Sequence, residues 1–407
     1  MLKCGLLGEK LGHSYSPAIH GMLADYEYKL YERQPEELEA LLKEGDWNGL
    51  NVTIPYKKTV IPYCAELSER AKRIGSVNTL VRRPDGGIYG DNTDAYGFEK
   101  LVRRSGISVK GKKTLVLGSG GASVTVCAVL EELGAGSVTV ISRNGENNYE
   151  NISRHADAEI LVNTTPVGMY PKNGASAVDL SQFPKCCGVL DVVYNPARTA
   201  LILQAEKRGI PCASGLYMLV AQAKGSAEQF AGRQIDDGEI DRIERALSGS
   251  MQNIILVGMP GSGKSTVSAL LAERLGRPAY EADCEIEKAA GMSIPEIFSR
   301  YGEERFRALE TETLSALGKL SGAIISTGGG CITREENYPL LHQNGKIIWL
   351  RREVSKLPKD GRPISLKSDL NQLYEQRRPL YERFADCVVE NDGTLENTVK
   401  QILEVLE

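Results

Sequence analysis

Histidine is scarce in this 407-residue sequence: there are four, and none stands at zinc-ligand spacing from a cysteine or carboxylate. A structural metal site is therefore not expected. The nine cysteines include no Cys-x-x-Cys pair, and Cys186 and Cys187 are adjacent, an arrangement poorly suited to a disulfide. They read as buried or idle thiols in a reducing cytoplasm. No apolar run approaches ~18 residues, so no membrane span is expected. Glu9 and Lys10 interrupt the first apolar stretch, which does not suit a secretory signal. Charge of one sign is also missing. Lys+Arg number 49 against 53 Asp+Glu, a net charge of −4, split 29 to 30 over residues 1–249 and 20 to 23 over 250–407. Nucleic-acid binders usually carry a local basic excess, so no nucleic-acid partner is expected. Internal repeats and low-complexity tracts are absent.

Glycine, by contrast, is plentiful at 42 residues. That points to tight turns and to backbone that must approach something closely. At roughly 150 residues per domain, the length suggests two or three domains. Residues 1–95 alternate strand-like runs (CGLLG, GLNVTI) with helical ones (SPAIHGMLADY, PEELEALLKEG), as expected of an α/β lobe. KTLVLG (113–118) then runs into GSGGAS (118–123), a helical stretch VTVCAVLEELG and the β-rich SVTVIS (137–142). This is a βαβ unit, and EILVNTTP (159–166) and GVLDVVY (188–194) continue the alternation of a parallel, doubly wound sheet.

Gly118-x-Gly120-x-x-Ser123 is a variant of the dinucleotide fingerprint. Its position between strand and helix would bring backbone N–H groups of Gly120 and Gly121 to a pyrophosphate. A tight strand-to-helix turn is the plain alternative. An NAD site usually places an acid at the end of the second strand, but here stand Ser142, Arg143 and Asn144. A guanidinium suits a 2′-phosphate, which favours NADP(H); the plain alternative is a surface arginine.

The second glycine loop is a full P-loop, Gly258-x-x-x-x-Gly263-Lys264-Ser265, entered from the buried-strand pattern IILVG. Backbone N–H groups cradle phosphates in such a loop, the lysine reaches the terminal oxygens and the serine hydroxyl meets Mg²⁺. The small-residue stretch ALSGS (246–250) before Met251 reads as a short, flexible joint.

Residues 1–245 resemble shikimate dehydrogenase in HSYSPAIH (13–20), NVTIPYK (51–57), SVNTL (76–80), GDNTDAYGF (90–98), GSGGAS, NTTPVGM (163–169) and GLYMLVAQA (215–223). The resemblance implies a substrate site formed by Ser14, Ser16, Thr53, Asn78, Tyr194 and Gln222. It implies a catalytic pair, Lys57 and Asp94, and a cofactor site of Gly118, Ser119, Gly120, Gly121, Ala122, Ser142, Arg143, Val192 and Gly215. Lys57–Lys58 alone would read as a solvated pair.

Residues 251–407 resemble shikimate kinase in EADCEIE (281–287), GMSIPEIFSRYGEERFRALE (291–310), TGGG (327–330), GRP (361–363) and RRPLYERFAD (377–386). By resemblance, ATP meets Gly261, Ser262, Gly263, Lys264, Ser265 and Thr266, while Asp283, Arg307, Gly328, Gly329, Gly330 and Arg377 bind shikimate. Ser265 holds the metal, and Lys264, Asp283 and Arg362 are catalytic. The basic stretch 351–367 corresponds to a lid whose Arg362 stabilises the transferring phosphoryl group; a solvated charge run is the plain reading. Ser293-x-x-Glu296 is also a helix capping box. One departure stands out: Glu281 occupies the position of a usual aspartate near Mg²⁺.

The expected fold class is α/β: an N-terminal α/β substrate lobe plus a Rossmann-type NADP lobe, followed by a P-loop kinase domain with a parallel sheet. The expected boundaries are 1–95 (completed by about 215–245), 96–214, a linker at 246–250, and 251–407. The expected function is bifunctional, with NADP(H), ATP and Mg²⁺ as cofactors and 3-dehydroshikimate and shikimate as substrates. The cytoplasm is the expected location, and the oligomeric state is open between monomer and homodimer. Competing readings are a quinate-preferring or weakened half, or a non-catalytic shikimate or nucleotide sensor.

Overall fold

The computed structural model describes residues 1–12, 14–357 and 370–406. Arg362, and with it most of the expected lid, lies outside the described residues. The chain divides into two compact units. The first comprises Met1–Met169, Ala175–Tyr194 and Leu201–Ala246; the second comprises Tyr170–Gly174, Asn195–Ala200 and Leu247–Glu407.

The first unit contains two sheets. In the N-terminal one, Lys3–Gly8 lies between Glu27–Glu32 and Gly49–Val52, parallel to both. Thr79–Arg82 and Ile88–Asp91 continue it antiparallel, and Glu66–Leu67 closes the far edge. The second sheet is wholly parallel, in the order Cys212–Ala213, Gly188–Asp191, Ile160–Asn163, Lys113–Leu117, Ser137–Ile141. Its strand Lys113–Leu117 is apolar at successive positions because helices cover both faces. Val116 packs with Val126, Val129 and Leu130 on one side, while Leu115 and Leu117 pack with Leu201 and Ile202 on the other. The helix after the glycine loop begins at Gly121, three residues earlier than the apolar run suggests.

Two expected boundaries fall inside helices. The division at 95/96 cuts Thr93–Ser105, a single helix capped by the Asn92 side chain, which accepts from the Ala95 N–H at 3.1 Å. The joint at 246–250 is not a flexible loop: it lies in the last turns of the helix Gly238–Met251. Ile240, Ile243, Leu247 and Met251 are all buried, and their spacing of three, four and four residues makes a helical stripe that outweighs the small residues between them. The helix Leu216–Ala231 packs on Thr93–Ser105 at close range. A Cβ added at Gly97 would stand 2.6 Å from the Met218 carbonyl oxygen, so only glycine fits there.

The second unit is built on a parallel sheet ordered Ala279–Glu281, Ile324–Ser326, Asn253–Val257, Gly345–Arg351, Cys387–Glu390. Ile254 and Leu256 face one core and Ile255 and Val257 the other, the alternation a doubly covered strand requires. Among the described residues, no helix is long and apolar enough to cross a membrane.

Candidate active sites

The first site forms where the N-terminal sheet meets the start of the helix Thr93–Ser105. Lys57 follows the strand Gly49–Val52 in a turn anchored by buried Tyr56, whose hydroxyl donates to the Arg33 carbonyl at 2.6 Å. Asp94 occupies the first helical turn. The Lys57 ammonium donates to Asp94 Oδ2 at 2.5 Å, and both side chains are largely buried. Buried Asn78 is fixed at the same helix start, its Oδ1 accepting from the Thr93 N–H at 2.6 Å. Its Nδ2 donates to Gln222 Oε1 at 3.4 Å, so the helix from 216 contributes to this site. Ser14 Oγ accepts from the Ser16 N–H at 3.2 Å, and Ser16 opens the helix Ser16–Leu23. Thr53 sits half-buried beside Gly8, where an added Cβ would meet Thr53 Cγ2 at 2.7 Å. Tyr194 meets Tyr15 edge to face, with ring centroids 6.0 Å apart, and burial pushes its phenol pKa up.

The glycine loop lies against this pair. A Cβ on Gly121 would be 3.9 Å from Lys57 Cδ, and one on Gly120 would meet nothing within 4 Å. Gly118 has φ +104°, and its missing Cβ leaves room for Thr164 and Thr165. An open face of backbone at a helix start fits a dinucleotide pyrophosphate, reached beside Ser119 and Ala122. Arg143, after the strand Ser137–Ile141 and Ser142, is exposed and has no ion pair among the described residues, so its guanidinium is available to a phosphate. Gly215 presses on Val192: an added Cβ would stand 2.1 Å from the Val192 oxygen.

The second site is a cavity of about 500 Å³ lined by the P-loop and by the segments around it. Lys264 is 8% exposed and donates to the carbonyls of Gly258 at 2.9 Å and Met259 at 3.1 Å. Gly261 and Gly263 have φ +83° and +94°, the left-handed region that the loop needs. The buried Ser262 hydroxyl has no partner among the described residues, and Thr266 lines the cavity beside Ser265. A cradle of this kind fits a nucleotide's phosphates. Ser265 Oγ donates to Glu281 Oε2 at 2.8 Å, placing together a hydroxyl and a carboxylate, oxygen groups that fit Mg²⁺.

Across the cavity, Asp283, Arg307, Gly328–Gly330 and Arg377 come together. Arg307 donates to Glu310 at 2.7 Å and to Glu303 at 3.3 Å. Arg377 donates to the Gly329 carbonyl at 3.0 Å. A Cβ at Gly328 would lie 2.7 Å from Glu310 Oε1 and 2.9 Å from Asp283 Oδ1, while one at Gly330 would strike the Arg307 guanidinium. Burial raises the Glu310 carboxyl pKa, opposed by the charge of Arg307. Ser293 and Glu296 do form a cap: the Glu296 carboxylate accepts from the Ser293 N–H at 3.0 Å.

A family model described as shikimate dehydrogenase substrate binding domain matches residues 6–80, and one described as shikimate kinase matches residues 260–407. The NADP(+)-dependent shikimate dehydrogenase of Clostridium perfringens strain SM101 is 36% identical over 264 residues, covering 60% of this chain and 97% of that protein. The chain belongs to the shikimate dehydrogenase family. It carries in addition a shikimate kinase domain. Among solved structures, a chorismate mutase/shikimate 5-dehydrogenase fusion from Clostridium acetobutylicum is 38% identical with a TM-score of 0.58. It covers 60% of this chain and 97% of that one. The shikimate 5-dehydrogenase of Thermus thermophilus, in complex with NADP(H) and shikimate, is 30% identical with a TM-score of 0.55, over 60% of this chain and 99% of that one.

Sequence reasoning singled out neither Glu310 nor Asn391. The spacing Arg307-x-x-Glu310 places both on one helix face, but burial of the pair is not visible in sequence. Asn391 donates to the Ser262 carbonyl at 2.6 Å and accepts from Thr398 Oγ1 at 2.7 Å, pinning the P-loop from far along the chain. On the dehydrogenase side, Asn163 Oδ1 accepts from the Thr165 hydroxyl at 2.7 Å and so shapes the wall facing Gly118. Its segment was visible as NTTPVGM, yet no single role could be read from it.

Proposed function

We propose that this chain reduces 3-dehydroshikimate to shikimate with NADPH in its first unit and phosphorylates shikimate with MgATP, giving shikimate 3-phosphate, in its second. The observation that carries the reading is the Lys57–Asp94 pair at 2.5 Å beside the backbone of Gly121. NADPH supplies the hydride that reduces the ketone. The oxygen that becomes an alkoxide takes a proton, which the Lys57 ammonium donates while Asp94 holds that ammonium in place. Ser14, Ser16, Thr53, Asn78 and Gln222 offer the hydroxyls and amides that suit a polyhydroxy carboxylate, and Tyr194 closes that side.

In the second unit ATP supplies the phosphoryl group. Lys264 and the loop N–H groups hold its phosphates, Ser265 with Glu281 holds Mg²⁺, and Arg307 and Arg377 pair with the shikimate carboxylate. Asp283 receives the proton of the attacking hydroxyl. Arg362 remains part of the proposal through the family resemblance alone.

A single incubation with 3-dehydroshikimate, NADPH, ATP and Mg²⁺ tests the reading, following NADPH loss and ADP formation together. Lys57→Ala should stop both signals, and Lys264→Ala should stop only ADP formation. Wild-type protein giving neither signal would overturn it.

A further inference from the structure

Arg351 and Arg352 open the basic stretch 351–367 of the sequence, but the fold separates them. Arg351 ends its strand, pairs with Glu390 and lies over the Trp349 ring, 5.6 Å from the centroid. Arg352, the next residue, lines the P-loop cavity together with Gly261, Lys264 and Thr266. Its Nε is buried and has no hydrogen-bond partner among the described residues. The other cations of that cavity are engaged: Arg307 with Glu310, Arg377 with the Gly329 carbonyl, and Lys264 with two loop carbonyls. Asp392 feels the charge of Arg352 only weakly. Its carboxyl is held low first by the Glu353 N–H, then by Lys356, and least by Arg352.

A buried guanidinium nitrogen without a partner costs stability unless something occupies it. The position also matters. Ligands of open α/β sheets bind beyond the carboxyl ends of the strands, and Arg352 stands one residue beyond such an end. Leu350 lies directly against the P-loop, since a Cβ on Gly258 would be 2.5 Å from the Leu350 oxygen. We propose that Arg352 is a phosphate-binding residue of the kinase that contacts the terminal phosphate of ATP. It supplies a fixed cation from the sheet, separate from Arg362. The inference rests on the kinase reading above.

Equilibrium binding of MgATP and of MgADP to the full chain tests it. In Arg352→Ala, MgATP affinity should fall about tenfold or more, as expected for losing one charge-assisted contact, with MgADP affinity changing less than about threefold. Arg352→Lys should recover part of the MgATP loss. Trp349 fluorescence, from the same strand, reports whether the variant is folded, and Arg352→Gln replaces Arg352→Ala if it is not. Unchanged MgATP affinity, or equal losses for both nucleotides, would overturn the proposal. Failure of the wild-type chain to bind MgATP would instead overturn the kinase reading.

Discussion

The two sites begin with the same local device, a strand running into a glycine turn and a helix, and then diverge in charge. At the first, one ion pair, Lys57–Asp94, is joined by hydroxyl and amide side chains. At the second, Lys264, Arg307, Arg352 and Arg377 converge with Glu281, Asp283 and Glu310 around one cavity. On the proposed reading both sites handle shikimate, so the ligand does not explain the difference. The reaction does. Hydride transfer to a ketone creates one alkoxide, which one proton donor can meet. Phosphoryl transfer spreads negative charge over several oxygens and needs several fixed cations.

The comparison breaks most easily at its two lysines. Lys264→Ala should cut ADP formation about 10³-fold or more, because on the proposed reading it removes the cation that meets the phosphates. NADPH oxidation with 3-dehydroshikimate should continue unchanged. Lys57→Ala should lower NADPH oxidation about 10²- to 10³-fold, the usual worth of a positioned proton donor. ADP formation from added shikimate should be unaffected. If either substitution silenced both reactions when each substrate is supplied separately, the two sites would not be independent chemical centres.

A middle-sized effect separates a buried ion pair from an accessible one. Glu310→Ala leaves Arg307, only 6% exposed, with the Glu303 carboxylate at 3.3 Å. Removing one partner of a buried pair costs about 3 kcal/mol or more. The second unit should therefore unfold at lower urea, as Trp349 fluorescence would report in a Trp47→Phe background. The shikimate KM of the kinase reaction should rise in parallel, since Arg307 loses the group that aims it. Unchanged stability and KM would mean that Glu310 is not what holds the arginine.

What could be read from the sequence follows the same division. The P-loop was legible because its chemistry is local: loop, lysine and serine lie within about eight positions of one another. The α/β class was legible too, since buried parallel strands make continuous apolar runs such as IILVG and TLVL. Lys57 and Asp94 were not legible from pattern alone. They lie 37 positions apart, and only the fold brings their charged atoms to 2.5 Å. Arg352 was hidden in a basic run because the reversal of side-chain direction at a strand end has no compositional signature. The joint at 246–250 does lie where the two units divide, but it is helical rather than flexible. Ser and Gly suggested flexibility, while the stripe Ile240, Ile243, Leu247, Met251 that carries the helix through was already in the sequence.

The finest distinction concerns Glu281, where this chain departs from the usual aspartate. Its Oε2 accepts from the Ser265 hydroxyl at 2.8 Å, so the longer side chain reaches the group proposed to meet the metal. An aspartate would set its carboxylate back by about 1.5 Å, one carbon–carbon bond. Charge would be retained, and a water could fill the gap, because divalent magnesium keeps several waters. Glu281→Asp should therefore change kinase turnover and the Mg²⁺ concentration for half-maximal rate by less than about threefold. Glu281→Gln, which keeps the length and removes the charge, should raise that Mg²⁺ requirement about tenfold, in the range found when a metal's supporting groups are altered. Direct Mn²⁺ binding to each variant in the presence of ADP would show whether the loss lies in metal affinity. If the aspartate variant suffers more than the glutamine variant, reach rather than charge is what Glu281 contributes.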